Sequence, residues 1–179
     1  MITIGDLDFE VFIPHEVIQT KVKELADKIN KDYEGKEPTI IVMLTGAFIF
    51  AADLIRCLNV PIELGFAKYS SYEGTDTTGI VREVIGSTVD LKDKDVLIVE
   101  DIIDTGTTMK IVLPQFYAKG AKTVKIASFL RKPDKLKYKD LQVDYCAVDV
   151  PNAFLVGYGL DYNEQGRELR DIYSLRSSV

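Results

Sequence analysis

Apolar residues follow two rhythms along this chain. In "HEVIQTKVKELADKIN", residues 15–30, Ile18, Val22, Leu25 and Ile29 recur at helical spacing with charges between them, which predicts an amphipathic helix. Elsewhere the apolar residues form short unbroken runs: "TIIVMLTG" (39–46), "IELGFAKY" (62–69), "DVLIVED" (95–101), "TVKIASFL" (123–130) and "VDYCAVDV" (143–150). Runs of this length read as strands buried on both faces. "AFLVGYG" (153–159) reads as one more short strand. "AFIFAADLIRCL" (47–58) and "TTMKIVLPQFYAKG" (107–120) read as helices, the second closed by Gly120. Pro114 falls inside that second helix, where an interior proline costs ~3 kcal/mol, so a kink or a late start is expected.

Strands alternating with helices predict an α/β fold, a mainly parallel sheet flanked by helices on both faces. Ligands bind such sheets beyond the carboxyl ends of the strands. The sequence shows no repeat, no low-complexity segment and no linker, and 179 residues suit one domain with a core of its own.

Composition narrows the partners. No apolar run approaches the ~20 residues that span a bilayer, and "MITIGDLDFE" lacks a basic-then-apolar leader pattern, so a cytoplasmic protein without a membrane partner is expected. Cys57 and Cys146 both lie in apolar segments and are expected to be reduced, buried thiols. Two cysteines and the single His15 do not supply a structural zinc site. The formal charge of −6 argues against nucleic-acid binding, which draws its affinity from neutralised phosphates. A small phosphorylated ligand is compatible with it, held by backbone N–H groups, local cations and Mg²⁺.

The stretch that concentrates chemistry is "VLIVEDIIDTGTTM", residues 96–109. An apolar strand runs into Glu100 and Asp101, a carboxylate pair able to accept from a vicinal diol and to hold Mg²⁺. Asp104, Thr105, Gly106, Thr107 and Thr108 follow, a turn at a helix start whose amides and hydroxyls suit a phosphate monoester. Plain N-capping explains the turn alone. Diol acceptors and phosphate donors a few residues apart together suit a ribose 5-phosphate.

This stretch resembles the phosphoribosyl pyrophosphate (PRPP) motif of the type I phosphoribosyltransferases. Four further segments, in order, resemble the hypoxanthine-guanine branch of that family. "LTGA" (44–47) is similar to its pyrophosphate loop, in which a cis peptide follows the Leu; Thr45 stands where the family often carries Lys or Asn. "SSYEGTDTTG" (70–79), with Ser71, Tyr72, Glu73, Gly74 and Gly79, resembles the lid that closes over the site. "SFLRKP" places Lys132 at the purine-binding lysine, and "AFLVGYGLDYNEQGRELRDIY" resembles the C-terminal signature.

The resemblance implies a single domain over 1–179, with a core of about 36–150 and a small hood from the terminal segments. It implies a homodimer or homotetramer that transfers the 5-phosphoribosyl group from PRPP to hypoxanthine or guanine. The products would be IMP or GMP and pyrophosphate. By the same resemblance Glu100 and Asp101 bind the ribose hydroxyls and Mg²⁺, and Asp104 to Thr108 hold the 5-phosphate, with Asp104 also the catalytic base at N7. Leu44, Thr45, Gly46 and Arg167 hold pyrophosphate. Lys132, Phe154, Leu155 and Asp161 bind the purine, Asp161 also serving a second Mg²⁺. Lys132, a donor-only cation aimed at the 6-position, favours a carbonyl over an amino group there. The rival expectations are a xanthine-preferring enzyme and a non-catalytic nucleotide-binding regulator of the same fold.

Overall fold

The computed structural model describes residues 1–72 and 80–176. Six strands build the main sheet: β3 (Thr39–Leu44), β4 (Glu63–Tyr72), β5 (Ile80–Ile85), β6 (Asp95–Ile103), β7 (Thr123–Arg131) and β8 (Tyr145–Asp149). Their order is β5-β4-β3-β6-β7-β8, all parallel except the edge strand β5, which runs antiparallel to β4. The apolar runs become the central strands: Val96, Leu97, Ile98 and Val99 of β6 are wholly buried, as are Ile40 and Ile41 of β3.

From β3 the chain steps outward to β4; from β6 it steps the other way, to β7 and then β8. The order therefore reverses between β3 and β6, and the crevice at their carboxyl ends is the switch point where such sheets take ligands. By the right-handed rule for such crossovers, α2 (Phe48–Arg56) and α3 (Thr107–Ala118) belong on opposite faces. Helix α1 (His15–Asp32) buries Ile18, Val22, Leu25, Ala26 and Ile29 against α2 and β8.

Four shorter strands form a second, antiparallel sheet in the order β1-β2-β10-β9: β1 (Ile2–Ile4), β2 (Leu7–Ile13), β9 (Leu155–Val156) and β10 (Ile172–Leu175). It has its own small core of Ile4, Phe9, Val156 and Tyr173. Leu155 faces the main core instead, so β9 joins the two.

Helix α3 starts at Thr107, so of the two alternatives for Pro114 the late start does not occur, and it runs through Pro114 to Ala118. One expectation changes. Cys57 is exposed rather than buried, because α2 stops at Arg56 and the cysteine caps its end. Cys146 is only partly covered, and burial, with Asp149 adding to it, pushes its thiol up to about 11.

Candidate active site

Strand β6 delivers its last residues into the crevice. Glu100 and Asp101 are half-buried there, Glu100 Oε1 accepting the Asp101 N–H at 3.1 Å and Asp101 Oδ1 the Ile102 N–H at 2.7 Å. From β3 comes the loop after Leu44, whose peptide to Thr45 is cis. Its Gly46 lies so close that a Cβ there would sit 1.8 Å from Asp101 Oδ2. The contact joins the loop to the acid pair across the switch point, and any side chain at 46 would have to displace the Asp101 carboxylate.

The turn beyond β6 shares a pocket of about 90 Å³ with Glu100. Gly106 takes φ +81° there, and a Cβ on it would meet Leu141 and Leu136 at 2.8 and 3.0 Å. A side chain is thus excluded by conformation and by space. Thr105 and Thr107 hydroxyls lie 2.9 Å apart, and α3 begins at Thr107, so its first amides face the pocket without partners in the helix.

Asp104 meets two cations. Lys135 Nζ donates to its Oδ2 at 2.9 Å and Lys132 Nζ lies 3.6 Å from the same oxygen, while Oδ1 is buried with no partner among the described residues. A buried acceptor of this kind is uncommon and is compatible with a catalytic role, an ordered water or an ion. Lys132 is only 7% exposed, although its neighbours read as a charge run. Its backbone N–H bonds to Ile103 O at 2.9 Å, drawing the end of β7 against that of β6.

The C-terminal segment closes the other side. Arg167 donates to Gly159 O at 2.8 Å and pairs with Asp161 Oδ1 at 3.0 Å, whose Oδ2 accepts the Glu164 N–H. Its charge also reaches Asp101. Phe154 is 45% exposed, its ring edge-on to Tyr162 and tilted against Phe9. Leu155 is buried in β9, paired with Ser174. The backbones of Ser71 and Tyr72 finish β4, paired with Val81 and Ile80 of β5. The rest of the expected lid, with Glu73, Gly74 and Gly79, lies outside the described residues.

Glu100, Asp101, Asp104 to Thr108, Lys132 and Gly46 are thus linked by direct contacts or a shared pocket, and Arg167 joins them through Gly159, whereas Phe154 packs on the second sheet and Leu155 on the main core. Lys135 and Gly159 were missed in the sequence: Lys135 is one of several lysines in "RKPDKLKYKD", and Gly159 acts through a contact 113 residues away.

Among the described residues no group of three His, Cys, Asp or Glu forms a metal cage. The donor set nonetheless fits Mg²⁺, which takes one or two carboxylates and completes its shell from substrate phosphates and water. Burial holds the Glu100 carboxyl well above its usual range, the Asp101 charge adding to this, and burial raises Asp101 as well. A carboxyl raised on folding binds more protons folded than unfolded. The ligand-free protein therefore loses stability as pH climbs from the ordinary carboxylate range toward the raised values, and stays penalised above them. Glu100→Gln removes most of that penalty. Its melting temperature without ligand at pH 7.5 is expected to rise by about 3 °C, of the size a ~1 kcal/mol gain gives in a domain this large, while activity falls. Thermal melts of both proteins at pH 5 and 7.5 check this; a variant that melts lower at pH 7.5 contradicts it.

The fold and this site define a phosphoribosyl transferase, and the sequence profile of the phosphoribosyl transferase domain matches residues 14–163. The chain belongs to the hypoxanthine-guanine phosphoribosyltransferase family. It is 39% identical over 171 residues to the hypoxanthine-guanine phosphoribosyltransferase of Streptococcus pneumoniae, covering 95% of this chain and 94% of that protein. With the Aquifex aeolicus relative it shares 40% over 166 residues, 92% of this chain and 93% of the other. The crystal structure of the Bacillus anthracis hypoxanthine-guanine phosphoribosyltransferase superposes with a TM-score of 0.88 at 39% identity, covering 94% of this chain and 99% of that one.

Proposed function

We propose that this enzyme transfers the 5-phosphoribosyl group from PRPP to N9 of hypoxanthine or guanine, releasing pyrophosphate and forming IMP or GMP. The observation that carries the reading is one crevice in which Asp101 abuts Gly46 and Glu100 shares a pocket with the Thr105–Thr108 turn. Ribose acceptors, 5-phosphate donors and a pyrophosphate loop are thereby placed around one sugar. The names of the relatives support the two bases.

Positive charge develops at the sugar as the glycosidic bond loosens, by analogy with other glycosyl transfers. Glu100 and Asp101 accept from the ribose hydroxyls beneath that charge. Thr105, Gly106, Thr107 and Thr108 fix the 5-phosphate at the start of α3, so the sugar cannot turn. Glu100 and Asp101, and Asp161 at a second position, would hold Mg²⁺, whose charge would offset that on the departing pyrophosphate. Thr45 and Gly46 with Arg167 receive it. Asp104 Oδ1, buried and free, takes the N7 proton as N9 attacks, and Lys132 donates to the 6-oxo group. Phe154 stacks on the base and Leu155 offers backbone groups to its edge, with Ser71 and Tyr72 closing over the complex. No described helix is long and apolar enough to cross a membrane. A cytoplasmic homodimer or homotetramer, one domain with the second sheet as its hood, completes the reading.

The test is nucleotide formation from PRPP and Mg²⁺ with hypoxanthine, guanine, xanthine or adenine offered separately, and a chelated control. Metal-dependent turnover of the first two, with little on adenine, is expected; preference for xanthine or adenine overturns the base assignment. Lys132→Ala leaves the 6-oxo group without its buried donor. Mispairing at a site of this kind supports discrimination of roughly 10⁴, and the hypoxanthine-to-adenine ratio of kcat/KM is expected to fall by about 10²-fold. An unchanged ratio removes Lys132 from base selection.

A further inference from the structure

Among the side chains without an assigned contact to substrate, Tyr158 stands between the two halves of the pyrophosphate end. It is 3% exposed and sits at φ +51°, flanked by Gly157 and Gly159, both at positive φ. A tyrosine in the left-handed region persists only where its surroundings hold it. Its ring packs edge-on to Phe129 with centroids 5.2 Å apart, and its N–H donates to Leu169 O at 2.8 Å. Its hydroxyl donates to Asp53 Oδ2 at 2.8 Å.

Asp53 lies on α2, the helix that follows the Leu44–Gly46 loop within two residues. It is itself braced: Gln19 donates to the same Oδ2 at 2.9 Å, and Arg56 pairs with Oδ1. On the other side of Tyr158 comes Gly159. A Cβ there would sit 2.0 Å from the Gly46 carbonyl oxygen. Gly159 also exchanges both backbone groups with Arg167, its N–H reaching Arg167 O at 3.0 Å and its oxygen accepting from the guanidinium at 2.8 Å. The contacts form one line from α2 through Tyr158 and Gly159 to Gly46 and Arg167.

A buried tyrosine needs some acceptor wherever it lies. What is particular here is the choice: a carboxylate on the helix that carries the loop, reached by a residue in a strained conformation beside the arginine. We infer that Asp53 and Tyr158 are a positioning pair that sets the spacing of Gly46 and Arg167 and so tunes affinity for the pyrophosphate end of PRPP. The inference rests on reading Gly46 and Arg167 as pyrophosphate-binding. Burial and the Asp53 carboxylate hold the Tyr158 hydroxyl above the usual tyrosine range, so it remains a donor at every working pH.

The test measures kcat, KM for PRPP, KM for hypoxanthine, KM for pyrophosphate in the reverse direction, and melting temperature. Tyr158→Phe keeps the ring and removes the bond. It is expected to raise KM for PRPP and for pyrophosphate about tenfold with hypoxanthine KM within twofold, an effect short of the ~10²-fold loss that a 1 Å misplacement can cause. Asp53→Ala should match it, the double variant should be no worse than either, and Asp53→Asn, whose amide oxygen still accepts, should recover most of the loss. Should Tyr158→Phe fold poorly, the Asp53→Ala and Asp53→Asn comparison decides alone. Arg167→Gln is the control for the underlying reading. If it leaves both KM values unmoved, that reading fails and the pair with it. If it raises them while Tyr158→Phe and Asp53→Ala change only the melting temperature, or raise hypoxanthine KM equally, the pair is merely structural and the inference is overturned.

Discussion

Asp104→Asn is expected to cut the rate of transfer about 10³-fold, roughly 4 kcal/mol of barrier, while KM for PRPP moves less than threefold. The separation follows from geometry. The turn proposed to grip the 5-phosphate is shaped by Gly106 and the Thr105–Thr107 contact, neither of which uses the Asp104 carboxylate. Asparagine can present its oxygen to Lys135 and Lys132 as Oδ2 does now, so the local ion cluster loses strength without losing shape. Its NH₂ then occupies the place of the unpartnered Oδ1, where a donor cannot accept a proton. Single-turnover rates with hypoxanthine and guanine, alongside PRPP binding measured separately, check this. A variant that turns over within tenfold of the parent would return the proton to another group.

Gly46→Ala is expected to lower kcat/KM for PRPP about 10²-fold by adding one methyl group. That methyl lands 1.8 Å from Asp101 Oδ2, and the loop cannot retreat, because the Gly46 carbonyl is already pressed against Gly159. The Asp101 carboxylate is the part that gives way. Its displacement by more than 1 Å takes an acceptor from the ribose and unsettles the Ile102 N–H it holds. The expected signature is a loss confined to PRPP and pyrophosphate, with hypoxanthine KM little changed. Steady-state kinetics in both directions read it; kcat/KM within threefold of the parent means the loop has more freedom than these contacts allow.

The main sheet was legible because its strands are buried on both faces and so read as unbroken apolar runs. Of the second sheet only β9, within "AFLVGYG", reads as a strand, because the other three are partly exposed and carry no long unbroken apolar run. In β2, "LDFEVFI", apolar and polar residues alternate from Leu7 to Val11, but Phe12 breaks the period, and only Phe9 and Ile13 are buried while Val11 and Phe12 stay exposed. Edge strand β5, "IVREVI", has two charges in six residues and was passed over for the same reason. Within the site, the segment after β6 could be read because neighbouring residues build it. Lys132 gave the opposite impression: its neighbours suggest a solvated charge run, yet its N–H bonds to Ile103 O and its Nζ lies 3.6 Å from Asp104 Oδ2. Asp53 and Tyr158 lie 105 residues apart and carry no motif of their own. The late start considered for Pro114 does not occur, since a proline forfeits one helical bond but leaves the start of α3 to Gly106 and Thr107.

The pairing of β2 with β10 has a bearing on how the chain is made. Strand β2 leaves the ribosome well before its partner β10, and the ladder continues to the bond from Arg176 N–H to Asp8 O. Until β10 emerges, β2 and β1 remain a lone hairpin, marginal in water, beside a growing main sheet that can already bury its strands. The second sheet, and with it the setting of Phe154 and Arg167, comes together only once β10 has been made. A nascent chain stalled before residue 172 carries the Thr105–Thr108 turn but lacks β10.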